Sequence, residues 1–197
     1  MMVKEELAGI LLAGGASRRF GSPKAFANVE GKPFYKHSLE TLQAITGTIF
    51  IITNEQLEAK FENIADAQIM IDDKRYRGKG PLAGLYTAMQ AIKAEWYALI
   101  PVDVPFINPE IYHTLLEQRA PDLEAVIPLS NGRLQPLIAL YHHSLAGRLK
   151  ELLDTDQLAM RALLDISKVK YVPFTDPAAF ININWQEDYN RHIRNRG

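Results

Sequence analysis

The stretch Leu7-Ala8-Gly9-Ile10-Leu11-Leu12-Ala13 is a short apolar run that stops at Gly14-Gly15. A run without polar alternation has the pattern of a strand covered by helices on both faces. Similar runs follow at Thr48–Thr53, Gln68–Ile71, Tyr97–Pro101, Glu124–Leu129 and Gln135–Tyr141. Segments with helical spacing lie between them. Pro33–Ile45 and Pro81–Ile92 each begin with a proline, which suits the first turn of a helix. Asn108-Pro109 reads as a cap and first turn. His142–Leu153 and Trp185–Arg194 read as further helices. Strands alternating with helices predict an open, mostly parallel sheet. Such sheets bind ligands beyond the carboxyl ends of their strands. Gly14-Gly15, Asn54, Asp72-Asp73 and Asp103 follow the first four runs and share that location.

The chain has 197 residues, which suits one α/β domain. Its net charge of −1 gives no basic excess, so a general nucleic-acid binder is not expected. There are no cysteines, which excludes disulfides, thiolate zinc sites and a cysteine nucleophile. The first apolar run is too short for a membrane span and lacks the form of a signal peptide. A cytoplasmic protein with no membrane partner is the expectation.

The segment from Leu12 to Lys24 reads LAGGASRRFGSPK. Its glycines allow the backbone to approach a ligand closely, and successive N–H groups can form an anion-binding concavity. Arg18 and Arg19 supply fork-shaped donors and Lys24 a compact positive charge. These three cations suit a triphosphate accompanied by a metal ion. The alternative is a turn with solvated charges. Neither the P-loop pattern nor the Rossmann glycine fingerprint is present.

Asp103 lies in Pro101-Val102-Asp103-Val104-Pro105, where two prolines stiffen the turn. A carboxylate there fits either a turn or a Mg²⁺ site, since Mg²⁺ takes one or two carboxylates plus substrate phosphates. Asp72-Asp73 fits solvated turn residues or a nucleotide contact. Asn54 fits a turn or a ligand contact. Gly78-Lys79-Gly80-Pro81 leads into a helix whose free N–H groups favour an anion. Arg75, Arg77 and Lys79 add positive charge nearby, either as a solvated loop or as a hold on a second phosphate ligand. Asn182 and Asn184, at i and i+2, are expected on one face of a strand. They could serve a pterin or a metal–water shell, or Asn184 could cap the next helix. The histidines show no metal spacing, the serines no nucleophile context, and Trp96 and Trp185 read as packing residues.

The loop resembles the L-A-G-G-x-x-x-R-x-G-x-x-K signature of the nucleotidyltransferase superfamily. With Gly80-Pro81-Leu82-Ala83-Gly84, the Asp103 motif, Gln135-Pro136-Leu137, Ala139-Leu140 and Phe180-Ile181-Asn182-Ile183-Asn184, the chain resembles the molybdenum cofactor guanylyltransferases of the MobA type. Phe20 stands where the family often has methionine, and Pro23 where it often has aspartate.

The resemblance implies a single-domain, Rossmann-like (GT-A-like) α/β fold over residues 1–197: a mostly parallel twisted sheet with helices on both faces. The N-terminal half would bind nucleotide and the C-terminal half the acceptor. The implied nucleotide contacts are Leu12, Ala13, Gly14, Gly15, Arg18, Lys24, Asn54, Asp73, Gly80 and Asp103. Arg19, Lys24 and Asp103 would be catalytic, Asp103 would hold Mg²⁺ or Mn²⁺, and Asn182 and Asn184 would face the acceptor. The implied substrates are GTP and molybdopterin, and the implied partners are proteins that make or receive the molybdenum cofactor. A cytidylyltransferase and a non-catalytic GTP-binding protein are the rival readings.

Overall fold

The computed structural model describes residues 5–15, 20, 22–61, 64, 66–185 and 187–188. Its strands are β1 (Glu5–Leu12), β2 (Asn28–Val29), β3 (Lys32–Pro33), β4 (Ile49–Thr53), β5 (Gln68–Ile71), β6 (Ala94–Pro101), β7 (Ala125–Ser130), β8 (Arg133–Leu134), β9 (Ala139–His142) and β10 (Val169–Phe174). Its α-helices are α1 (Phe34–Gln43), α2 (Glu55–Phe61), α3 (Pro81–Ala91), α4 (Pro109–Glu117), α5 (Ala146–Asp154) and α6 (Met160–Asp165). The main sheet runs β10-β7-β9-β6-β1-β4-β5, with β8 paired to β7. β1, β4, β5 and β6 are parallel, as are β7 and β10, while β9 is antiparallel to both its neighbours. The mixed α/β fold with a mostly parallel sheet is therefore as the apolar runs predict.

The central strands are buried on both faces, and their alternate side chains feed two cores. Ile10, Ile52 and Leu99 pack with Leu82, Leu85 and Leu149 on one side. Leu11, Ile51 and Ile100 pack with Leu39, Leu42 and Leu115 on the other. Burying such side chains on each face contributes roughly 1.5–3 kcal/mol apiece. This double burial explains why β4 reads as an unbroken apolar run. A third, small cluster joins Phe20, Val29 and Phe34 to Ile183, bringing a late segment of the chain against the β2–β3 hairpin.

Several expected elements differ in detail. The strand expected over Gln135–Tyr141 is confined to Ala139–His142, because Ile138 N–H turns back to the Gln135 carbonyl at 3.0 Å. It is antiparallel because Asn131 and Gly132, both at positive φ, close a tight β7–β8 hairpin that reverses the chain. The helix expected from His142 begins at Ala146, since His142 ends β9 and its side chain accepts the Ser144 N–H. Asn108 occupies the N-cap position of α4 without a capping side-chain bond. Asn182 and Asn184 lie in irregular structure, not on a strand. Trp96 is buried as expected, whereas Trp185 is 48% exposed. The helix expected over Trp185–Arg194 falls mostly outside the described residues. Among the described residues, no helix is long and apolar enough to cross a membrane.

Candidate active site

β1, β4, β5 and β6 all end at the same edge of the sheet. There a cavity of about 490 Å³ is lined by Leu12, Ala13, Gly14, Gly15, Lys24, Asp72, Gly80 and Asp103, among others. These residues come from five separated segments, so the cavity is a product of the topology. Arg18 and Arg19 lie outside the described residues.

The Asp103 turn is fixed from three directions. Val102 N–H extends the ladder to the Leu12 carbonyl at 3.2 Å, and Ile183 N–H donates to the Asp103 carbonyl at 2.8 Å. Ser38 Oγ, buried on α1, donates to the Pro101 carbonyl at 3.1 Å. With its backbone held, the Asp103 carboxylate faces Lys24: Nζ lies 3.3 Å from Oδ2. Lys24 Nζ also donates to Asn184 Oδ1 at 2.8 Å. One ammonium thus joins an N-terminal loop, the end of β6 and the C-terminal Asn184. The Lys24 side chain is only 11% exposed, which strengthens these charge-assisted contacts relative to a surface pair.

The donors at this point suit a hard divalent cation. Asp103 Oδ2 and Asn184 Oδ1 both face the Lys24 ammonium, at 3.3 and 2.8 Å, and both are hard oxygen donors of the kind Mg²⁺ takes. Among the described residues there is no group of three or more His, Cys, Asp or Glu side chains that could hold a metal. One carboxylate with open coordination for phosphate oxygens and water is the usual protein share of a Mg²⁺ site. Asn182 is exposed and does not line the cavity.

Gly80 takes φ +78° and ψ −158°, a conformation that glycine alone adopts without strain. It turns the chain into α3 and leaves the helix N-terminus at the cavity wall, with Gly78 and Pro81 beside it. Gly84, one turn on, approaches β1 and β4 so closely that a Cβ there would lie 2.7 Å from Leu12 Cδ2.

Asn54 does not line the cavity, but it fixes residues that do. Its Nδ2 donates to the Gly14 carbonyl at 2.9 Å, and its Oδ1 accepts the N–H groups of Gln56 and Leu57. It therefore caps α2 and tethers the glycine loop with the same amide. Capping of this kind is worth about 1 kcal/mol.

Of the two aspartates after β5, the resemblance implies a nucleotide contact for Asp73. Asp73 does not line the cavity; its carboxylate accepts from the Arg75 backbone at 2.9 Å and from the Arg75 guanidinium. The hydrogen bonds from Arg75 hold its carboxyl below the usual range. Asp72, its neighbour, lines the cavity. Its Oδ1 is buried without a hydrogen-bond partner, and burial pushes the carboxyl up to about 6 against the opposing pull of Arg77. The cations of this loop are also committed: Arg75 to Asp73, Arg77 to Glu55, and Lys79 to Asp156 and the Leu153 carbonyl. None of them lines the cavity, so the sequence expectation of a second phosphate hold is not realised there.

Comparison with known proteins agrees with the geometry. Residues 9–171 match the family model of the MobA-like NTP transferase domain. The chain is 39% identical over 186 residues to a probable molybdenum cofactor guanylyltransferase of Bacillus anthracis, covering 92% of this chain and 93% of the relative. A Geobacillus protein of the same name is 37% identical over 189 residues, covering 94% and 97%. In fold, the chain is similar to the molybdopterin-guanine dinucleotide biosynthesis protein A of Archaeoglobus fulgidus, with a TM-score of 0.82 at 23% identity over 96% of this chain and 98% of that one. The chain belongs to the MobA-like NTP transferase family and is a nucleotidyltransferase.

Proposed function

We propose that this protein transfers GMP from GTP to the terminal phosphate of molybdopterin, giving molybdopterin guanine dinucleotide and pyrophosphate. The observation that carries the reading is the single cavity where Gly14, Gly15, Lys24, Gly80 and Asp103 meet beyond the parallel strands. Relatives spanning nearly the whole chain carry the guanylyltransferase name.

In this reading the glycine loop and Lys24 hold the triphosphate, with Arg18 and Arg19 adding to the positive charge. An oxygen of the acceptor phosphate attacks the α-phosphorus in line. The bond from that phosphorus to the bridging oxygen breaks, and pyrophosphate leaves with the electron pair. The nucleophile is already anionic at neutral pH, so no general base is needed. The protein's contribution is positioning and charge stabilisation. Asp103, with Asn184 beside it, would hold Mg²⁺ or Mn²⁺, which supplies neutralisation of phosphate charge. Asn182 and Asn184 would face the acceptor and Gly80 the nucleotide, with Asn54 holding the Gly14 carbonyl of the glycine loop. The reaction belongs to the cytoplasm, alongside the proteins that make or receive the cofactor.

Pyrophosphate release with each of the four nucleoside triphosphates, with and without molybdopterin, tests this. Release with GTP that depends on the acceptor is the expected result. Turnover with CTP instead of GTP would make the protein a cytidylyltransferase. Tight GTP binding with no pyrophosphate from any acceptor would make it a binding protein.

A further inference from the structure

The cavity has two chemically different ends. Asp103 follows β6 and Asp72 follows β5, and β1 and β4 lie between those strands. Three strand spacings of about 4.8 Å separate the ends of the two strands by roughly 14 Å. That is of the order of an extended nucleotide measured from its phosphates to the far edge of its base. The Asp103 end carries Lys24 and suits phosphate. The Asp72 end is walled by Ile52, Gly78, Pro81 and Gly84 and suits a flat apolar ring.

At that end Asp72 Oδ1 is buried and makes no hydrogen bond. Leaving a buried carboxylate oxygen unpaired is costly, and a ligand that donates to it removes the cost. Thr53 Oγ1 is a second buried oxygen in that condition, one strand away, but Thr53 does not line the cavity. Asp73 has its oxygens engaged by Arg75. Asp72 is thus the carboxylate with acceptor capacity at the base end. Its raised pKa is the electrostatic counterpart of the same burial.

We infer that Asp72 selects the base by accepting hydrogen bonds from the N1–H and 2-amino groups of guanine. No other common base presents two adjacent donors on one edge. Cytosine and adenine each set one amino donor beside a ring acceptor, which a carboxylate would repel. The inference rests on the guanylyl reading above and names the residue that would enforce it.

Binding of GTP, ITP and XTP to the full chain, measured by calorimetry with Mg²⁺, tests the assignment. ITP lacks the 2-amino group, and XTP replaces it with a carbonyl. The wild type should bind GTP roughly 10- to 100-fold more tightly than ITP, the worth of one charge-assisted hydrogen bond. In Asp72→Asn the side chain offers one acceptor and one donor, matching XTP. That variant should lose GTP affinity by a similar factor and gain affinity for XTP. An unchanged order of GTP, ITP and XTP in Asp72→Asn would overturn the assignment. So would a variant whose loss is equal for all three bases but vanishes with 2′-deoxyGTP, since Asp72 would then contact ribose. If the wild type binds and turns over CTP but not GTP, the guanylyl reading itself fails and takes this inference with it. A circular-dichroism melt of Asp72→Asn checks that the variant is folded.

Discussion

Lys24 and Asn184, 160 positions apart in sequence, are joined by a 2.8 Å hydrogen bond from the lysine ammonium to the asparagine Oδ1. Asp103 completes the group at 3.3 Å from the same ammonium. The contact closes the site across the chain, and its energetics separate binding from stability. Lys24→Ala would remove a triphosphate contact and leave the Asp103 carboxylate without its cation. It should lower kcat/KM for nucleotide by about 100-fold or more, a charge-assisted contact to phosphate being worth roughly 3 kcal/mol. Lys24→Arg should recover only part, because a planar fork cannot occupy the place of a compact ammonium. Pyrophosphate-release kinetics check both. Full activity in Lys24→Ala would remove Lys24 from the site.

Asp103→Asn keeps the shape of the turn, since the backbone carbonyl that receives Ile183 N–H is unaltered. It should nevertheless reduce turnover by about a thousandfold, because an amide is a poor ligand for a hard cation that relies on one carboxylate. A chelator should inhibit the wild type to a similar floor, and excess Mg²⁺ should restore the wild type but not the variant. Residual activity in Asp103→Asn that is insensitive to chelator would argue against a metal at this position.

The site was legible in the sequence to the extent that its strands were. β1, β4 and β6 are buried on both faces, so each appears as a continuous apolar run, and the residue after each run marks the ligand edge. The edge strand β5 coincides with the run Gln68–Ile71, but the opposite edge strand is less visible. β10 alternates irregularly between exposed and buried residues, so neither an apolar run nor a two-residue period marks it. α2 is short and buries only Leu57 and Phe61, so its sequence signal is no more than the Asn54 cap and one i, i+4 apolar pair. The same lack of pattern explains Asp72 and Asp73. β5 is four residues long and its last three residues are all half-buried, so no alternation fixes which of the next two side chains turns inward. The resemblance implies Asp73 at the nucleotide, whereas the residue that lines the cavity is Asp72.

Asp72 also makes stability depend on pH. Burial pushes its carboxyl from the ordinary 3.8 up to about 6. The folded state therefore holds its proton more tightly than the unfolded chain, and stability falls as pH rises from about 3.8 to 6. Above that window the penalty is fully present; below it there is none. The carboxyl is partly exposed, so solvent screening reduces the effect to about 1 kcal/mol. Asp72→Asn, neutral throughout, should melt roughly 2–4 °C higher than the wild type at pH 7.5 and no higher near pH 3.5. Thermal melts of both proteins at the two pH values check this. A stabilisation that persists undiminished at low pH would trace to packing and not to the charge.

Gly84 tests whether the cavity is shaped by helix packing. An added Cβ would lie 2.7 Å from Leu12 Cδ2, 3.4 Å from Ile52 Cγ2 and 3.7 Å from Asp72 Oδ1. The closest atom is the end of a side chain, so Leu12 has to turn, and Leu12 is itself a cavity wall. Gly84 also sits inside α3, where alanine gains about 1 kcal/mol of helix propensity. These two effects oppose each other in stability, so Gly84→Ala should shift the melting temperature only slightly. In binding they do not cancel, because the displaced leucine intrudes on the base end. Nucleotide affinity should fall about tenfold, a loss of roughly 1.4 kcal/mol. Leu12→Ala combined with Gly84→Ala should regain much of that affinity, giving a favourable coupling in a double-mutant cycle. Strictly additive losses would mean that Leu12 does not transmit the effect of the added methyl group.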